Sequence, residues 1–293
     1  MQGTLVEIGL PAALFLIMIG MGLTLTPKDF REVLVAPRAT LFGLLAQTLL
    51  LPLIAFALAL LMNLDPLLAV GLIIIAACPG GTTSNIFAYL GGGDVALSVV
   101  LTVLASLIAI VTLPLFAGLA LDWFQDANVA IELPLSRTMV SLLVIVIVPL
   151  IIGMSLRKWT PAMAARAERF VGAFGLIVLV LVIGAILVSL GDRVVTLARD
   201  GTYIAVLLNV AGIALGLGGG RLIGLDLRQS FTIAVELGLK NATLGLMITL
   251  TLLHSNEMSV PSAVYGVVMF VMGAMLVMFS RQMGLQRPPI ENG

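Results

Sequence analysis

Two stretches of this sequence set groups capable of chemistry inside long apolar runs. One is Ala77-Cys78-Pro79-Gly80-Gly81-Thr82-Thr83-Ser84-Asn85; the other is Val235-Glu236-Leu237-Gly238-Leu239-Lys240-Asn241-Ala242-Thr243. Pro79 lacks a backbone donor and clashes with the preceding turn of a helix, and two glycines follow it. A helix broken at such a point leaves carbonyls free on one side of the gap and N–H groups on the other. The carbonyls, together with Glu236 and the hydroxyls and amide of Thr82 to Asn85, are hard oxygen ligands that suit a small cation such as Na+ and offer nothing soft. The N–H groups near Thr82 and Asn241 stand at the positive ends of helix dipoles and favour an anion. Two plainer readings remain open here: a Pro-Gly kink in the first stretch, and a structural Glu236–Lys240 ion pair in the second.

The composition says what must hold these groups. Of the 293 residues, 60% are hydrophobic and 10% charged, mean hydropathy is +1.19, and fifteen basic residues balance fifteen acidic ones. A soluble domain carries about a quarter charged residues. The balance provides no basic field for nucleic acid, and one cysteine and one histidine exclude disulfide frameworks and His-rich or multi-Cys metal centres. A hydrocarbon core of about 30 Å takes about 20 apolar residues per helix. Nine runs meet that length, at 4–25, 37–62, 66–91, 94–121, 133–156, 168–190, 201–223, 228–253 and 259–281, separated by short breaks such as Asn63-Leu64-Asp65-Pro66, Asp122 to Asn128 and Gly191-Asp192-Arg193. They are apolar all round, which excludes barrel strands. The expectation is an all-α polytopic membrane protein. The first run carries Glu7 and no basic start, unlike a cleaved signal peptide.

With the N-terminus outside, Lys28, Arg31, Arg38, Arg157, Lys158, Arg166, Arg169, Arg221, Arg228, Arg281 and Arg287 fall on the cytoplasmic side, against Arg137, Arg193 and Arg199 outside. That asymmetry predicts N-out, C-in, with Trp123 and Trp159 in loops on opposite sides as interfacial anchors. The polar stretches sit in the third and eighth runs, five apart, so the two insert in opposite directions. Paired interrupted helices in inverted halves mark the midplane site of a secondary transporter. By this offset runs 1–4 map onto 6–9.

At these residues the chain resembles the bile acid:sodium symporter family. The match runs through Gly20-Met-Gly-Leu-Thr-Leu-Thr-Pro-Lys-Asp-Phe-Arg31, Cys78-Pro-Gly-Gly-Thr-Thr-Ser-Asn85 and Glu236-Leu-Gly-Leu-Lys-Asn241. The resemblance implies an inverted-repeat transporter of a core and a panel domain, here in a nine-helix version. Panel helix 1 would occupy 1–36, the first core half 37–121 with its broken helix at 66–91, panel helices 5 and 6 122–200, the second core half 201–284 with its broken helix at 228–253, and a cytoplasmic tail 285–293. It implies sodium-coupled symport of an organic anion at a plasma membrane, the inner membrane in bacteria, with no enzymatic step and no obligate protein partner.

The resemblance also implies a first sodium site of Ser84, Asn85, Ser98, Thr102 and Glu236, and substrate contacts at Thr82, Thr83 and Asn241. Ser98 and Thr102 are four apart, on one helix face; outside this family such hydroxyls commonly bond back to their own helix. A second sodium site would use Gln47, the Glu236 position, carbonyls around Leu237 and Leu239, and a glutamine where this chain has Lys240. An ammonium there occupies the place and charge of a sodium ion, and two like charges in that space repel by several kcal/mol at an effective dielectric near 20. The expectation is that Lys240 replaces the second sodium, leaving coupling to one Na+ or to a proton carried on Lys240. The apolar cleft fits a bile acid-like anion or a small carboxylate. The small-residue stripe Gly212, Gly216 and Gly220 reads as helix packing.

Three other readings fit parts of the sequence. Gly91-Gly92-Gly93-Asp94 matches an intramembrane aspartyl protease pattern, but that chemistry needs a second embedded Asp, and the remaining aspartates read as loop residues; Asp94 reads as a helix cap. A metalloid exporter would use Cys78 as a lone soft ligand. A channel would share paired broken helices but lack saturable, sodium-dependent flux. His254 reads as an interfacial residue.

Overall fold

The computed structural model describes residues 8–26, 35–124, 133–190 and 194–285, and among them it is built of helices without strands. Glu7, the Pro27 to Arg31 part of the first motif, the Gly191-Asp192-Arg193 break and the tail from residue 286 lie outside the described residues, as do the side chains of Arg166 and Arg169.

In chain order the helices are α1 (Leu10–Thr24), α2 (Pro37–Leu61), α3 (Pro66–Ala77), α4 (Thr82–Leu90), α5 (Val95–Phe124), α6 (Leu135–Trp159) and α7 (Pro161–Leu190). Then come α8, which begins at Val194 and ends at Leu222, α9 (Leu227–Gly238), α10 (Ala242–Leu252) and α11 (Asn256–Gln282). Local chemistry explains most of the starts. Proline occupies the first turn of α1, α2 and α3, where the missing N–H costs nothing. Asp65, Asp226 and Ser255 cap α3, α9 and α11 through their side chains.

Five of these helices are long and apolar enough to cross a bilayer unaided: α2, α5, α6, α8 and α11. Two of the other expected crossings are interrupted. The runs 66–91 and 228–253 are each cut in two, so α3, with 12 residues, rises only about 18 Å. Apolar side chains such as Val144, Ile151, Leu181, Val188 and Met278 face outward, as lipid-facing positions do and as a water-soluble surface seldom allows. Two helices begin about two turns before their expected starts. α7 begins at Pro161 rather than 168, and α8 at residue 194 rather than 201, because polar residues at the membrane edge continue the helix. Trp123 and Trp159 accordingly sit in the last turns of α5 and α6, both exposed, not in loops. Asp122 and Asp200 likewise lie on helix ends rather than in loops, Asp200 pairing with Arg199 at 3.1 Å.

The centre of the molecule is α3, α9 and α10. Every residue of α3 from Leu68 and of α9 from Ser230 is buried, and α10 is buried through Leu250. Small residues allow the close approaches this requires. A Cβ on Gly216 would run into the Ala234 backbone, one on Gly220 would lie 2.7 Å from Ser230 Oγ, and one on Gly212 would lie 3.2 Å from the Leu237 carbonyl. The stripe on α8 is therefore the surface on which α9 lies.

Candidate functional site

Both polar stretches are breaks. α3 ends at Ala77, Cys78 turns extended, and α4 starts at Thr82; α9 ends at Gly238, Leu239 is extended, and α10 starts at Ala242. The unwound residues cross side by side, Gly80 pairing antiparallel with Lys240. The Asn241 N–H donates to the Pro79 carbonyl at 2.9 Å, and the Gly81 N–H to the Leu239 carbonyl at 3.3 Å. Each strand thus meets the backbone needs of the other, which the apolar surroundings demand.

Beside the crossing, an oxygen cluster closes around Glu236 in the last turn of α9. Ser84 and Asn85 come from the first turn of α4, and Ser98 and Thr102 from one face of α5. The Ser84 hydroxyl reaches Glu236 Oε1 at 2.5 Å, Ser98 Oγ reaches the same oxygen at 2.6 Å, and Thr102 Oγ1 lies 2.9 Å from Oε2. Ser84 Oγ also lies 2.6 Å from the Gly81 carbonyl, and Ser98 Oγ 2.9 Å from Asn85 Oδ1. Each hydroxyl has one proton, so Ser84 and Ser98 each face two acceptors with one hydrogen. The cluster is rich in oxygen, poor in protons and centred on a buried carboxylate. Those are the properties of a hard-cation site. All five residues that the resemblance implied for a first sodium site are brought together.

Gly80 is what lets the two strands and the carboxylate meet, since a Cβ there would collide with Glu236 Oε2. Gly80→Ala is expected to cost about 1–3 kcal/mol in stability through overpacking and to weaken sodium-dependent thermal stabilisation of the purified protein. Unchanged stabilisation by sodium would show that the approach is not needed.

The residues of the implied second site are arranged differently. Lys240 is 1% exposed, and its ammonium forms no hydrogen bond, so a hydrogen-bonded ion pair with Glu236 is not made. Gln47 lies in a π-helical turn, Ala46–Leu50, of α2; its Nε2 donates to the Leu101 carbonyl at 3.2 Å, and its buried Oε1 has no partner. The Leu237 carbonyl accepts from Tyr265 OH at 3.3 Å, and the Leu239 carbonyl from Gly81. Cys78, at the end of α3, is fully buried.

Of the expected substrate contacts, Thr82 and Thr83 are half-buried in the first turn of α4. Asn241 is 6% exposed and uses Oδ1 to cap α10, accepting from the Leu244 N–H at 3.1 Å. Asn209 and Tyr265 escaped the sequence reading. The Asn209 amide and the Tyr265 hydroxyl both donate to the Gly238 carbonyl, at 2.7 and 3.1 Å, taking up the acceptor that the break in α9 frees. A buried Asn and Tyr in apolar helices were the available signal. Asp94 caps α5, accepting from the Leu97 N–H at 3.0 Å.

Among the described residues, apolar helices surround a polar centre of two interrupted helices, as in secondary transporters. Comparison with known proteins agrees. Residues 11–197 match the sodium bile acid symporter family. The uncharacterized sodium-dependent transporter YocS of Bacillus subtilis is 33% identical over 90% of this chain and 80% of its own length. The human ileal sodium/bile acid cotransporter is 33% identical over 79% of this chain and 66% of its own length. The probable sodium/metabolite cotransporter BASS2 of rice chloroplasts is 33% identical over 92% of this chain, which spans 63% of that relative. The chain belongs to the sodium bile acid symporter family, a family of sodium-coupled membrane transporters.

Proposed function

We propose that this chain is a symporter in which one Na+ at the Glu236 cluster drives uptake of an organic anion by alternating access. The observation that carries the reading is the shortage of protons in the oxygen cluster. Two serine hydroxyls each approach two acceptors, one of them the Glu236 carboxylate, so a bound cation supplies the positive charge that the hydrogens do not. Na+ is the cation this donor set favours, being hard and satisfied by neutral oxygens around one carboxylate.

The membrane arrangement proposed with it has nine crossings, counting α3 with α4 and α9 with α10 as one each, in two inverted halves. α2 to α5 and α8 to α11 would form the core, and α1, α6 and α7 the panel that moves against it. The excess of Lys and Arg supports a cytoplasmic C-terminus and an external N-terminus, and the membrane proposed is the plasma membrane, the inner one in a bacterium. The anion would sit at the N-terminal ends of α4 and α10, touching Thr82, Thr83 and Asn241. The names of the relatives suggest bile acids and other metabolites as the chemistry to try.

Lys240 sets the ion count in this proposal. A protonated Lys240, buried four residues from Glu236, would supply a positive charge where a second sodium would sit, and this supports coupling to a single ion. The testing experiment is uptake of a panel of bile acids and small carboxylates into proteoliposomes, with and without an inward sodium gradient, for the natural protein, Glu236→Ala and Lys240→Gln. Uptake of at least one anion should be saturable, sodium-driven and absent in Glu236→Ala. Uptake that ignores sodium, or follows a proton gradient instead, would contradict the proposal.

A further inference from the structure

Glu236 does not meet α5 alone. It is the third member of a stripe on one face of α9, Arg228, Thr232 and Glu236, spaced four apart. Each member contacts the segment that runs from the end of α4 into α5. Arg228 Nε donates to the Gly92 carbonyl at 3.1 Å, and its Nη2 lies 3.4 Å from the Gly93 carbonyl. Thr232 Oγ1 accepts from the Asp94 N–H at 2.7 Å and donates back to the Arg228 carbonyl at 2.8 Å. Asp94, Ser98 and Thr102 are likewise four apart on α5, so two matching ladders face each other. Thr232 holds Asp94, and one turn on, Glu236 holds Ser98 and Thr102.

Glycines make the fit unforgiving. A Cβ on Gly91 would collide with the Phe231 ring, and one on Gly93 would lie 2.6 Å from Thr232 Oγ1. A shift of one residue along either helix moves a side chain about 1.5 Å, whereas a working cation site needs its ligands within about 0.5 Å of their places. We propose that Arg228 and Thr232 are positioning residues, which fix the register of α9 against α5 and so hold Glu236 over Ser98 and Thr102 for the cation. The Arg228–Thr232 part of the ladder touches neither ion nor anion. It acts one and two turns from the carboxylate, and it stays joined when the hydroxyls of the site turn from the carboxylate to a bound ion. This inference rests on the Glu236 cluster being the sodium site.

The test is equilibrium binding of radiolabelled sodium to the purified protein, with Thr232→Val, Thr232→Ser and Arg228→Met beside the natural chain and thermal unfolding recorded for each. Valine keeps the shape of threonine but leaves the Asp94 N–H without its acceptor, and the sodium concentration for half-saturation should rise about tenfold, as for other outer partners of a metal ligand. The number of ions at saturation should not change, serine should restore the natural value, and Arg228→Met should move in the same direction as valine. Variants that only unfold at a lower temperature, with half-saturation unmoved, overturn the positioning role. If Thr232→Val does not fold, Arg228→Met decides by the same readout. A natural protein that binds no sodium overturns the cluster itself, and this proposal with it; sodium binding that is indifferent to both variants overturns this proposal alone.

Discussion

Glu236→Ala is expected to lose sodium binding and sodium-driven uptake together. The cluster has one formal negative charge; its other oxygens, on Ser84, Ser98, Thr102 and Asn85, are neutral. A unit charge in contact with a cation contributes several kcal/mol even at an effective dielectric near 20, and about 1.4 kcal/mol corresponds to a tenfold change in affinity. The half-saturating sodium concentration should therefore rise by about two orders of magnitude or more, and uptake at ordinary sodium should fall to the sodium-free level. Glu236→Gln separates charge from shape, because the amide keeps the volume and one acceptor oxygen. It should fail nearly as completely. Folding is the control: with the carboxylate gone the three hydroxyls still have partners in Gly81, Asn85 and one another, so the purified variant should remain a folded, monodisperse protein. Retained sodium-driven uptake in either variant would place the cation elsewhere.

Lys240→Gln is expected to change the number of ions rather than abolish transport. With Glu236 ionised and Lys240 protonated, as the proposal requires, the two charges cancel, so the site without sodium carries no net charge, and one Na+ with a monoanion again sums to zero. Uptake of a monoanion should then be indifferent to membrane potential. Glutamine removes a positive charge that would repel a second sodium by about 4 kcal/mol at 4 Å and an effective dielectric of 20, and it adds a neutral carbonyl oxygen able to act as a ligand. The variant should bind two ions, show a steeper dependence on sodium, and carry one net positive charge per monoanion. Its uptake should accordingly be accelerated by an inside-negative potential. Voltage-driven uptake by the natural chain, or an unchanged ion count in the variant, would remove Lys240 from the role of resident cation.

Much of this could be read in the sequence because apolar length and helix-breaking residues act locally. Pro79 followed by two glycines, and Glu236 to Asn241 inside an apolar run, mark both interruptions within a residue or two of where α3 and α9 end. The expected helix ends erred at 161 and 194, where charged residues at the membrane edge resemble a loop although they satisfy a helix equally well. The π-helical turn that carries Gln47 left no mark in the sequence, since its residues, Ala-Gln-Thr-Leu-Leu, are ordinary helix formers. Asn209, Tyr265 and the Arg228–Thr232 ladder were equally hidden. Their work depends on which helices face each other: Asn209 and Tyr265 act only because α8 and α11 both border the break in α9. Spacing of four along α9 was visible, but its partner ladder on α5 was not.

The most direct measurement is the number of sodium ions bound per chain at saturation, by equilibrium binding of radiolabelled sodium to the purified protein. One ion in the natural protein and none in Glu236→Ala is the result predicted. Two ions in the natural protein, or one that survives loss of the Glu236 carboxylate, would contradict a single cation held between α9 and the hydroxyls of α4 and α5.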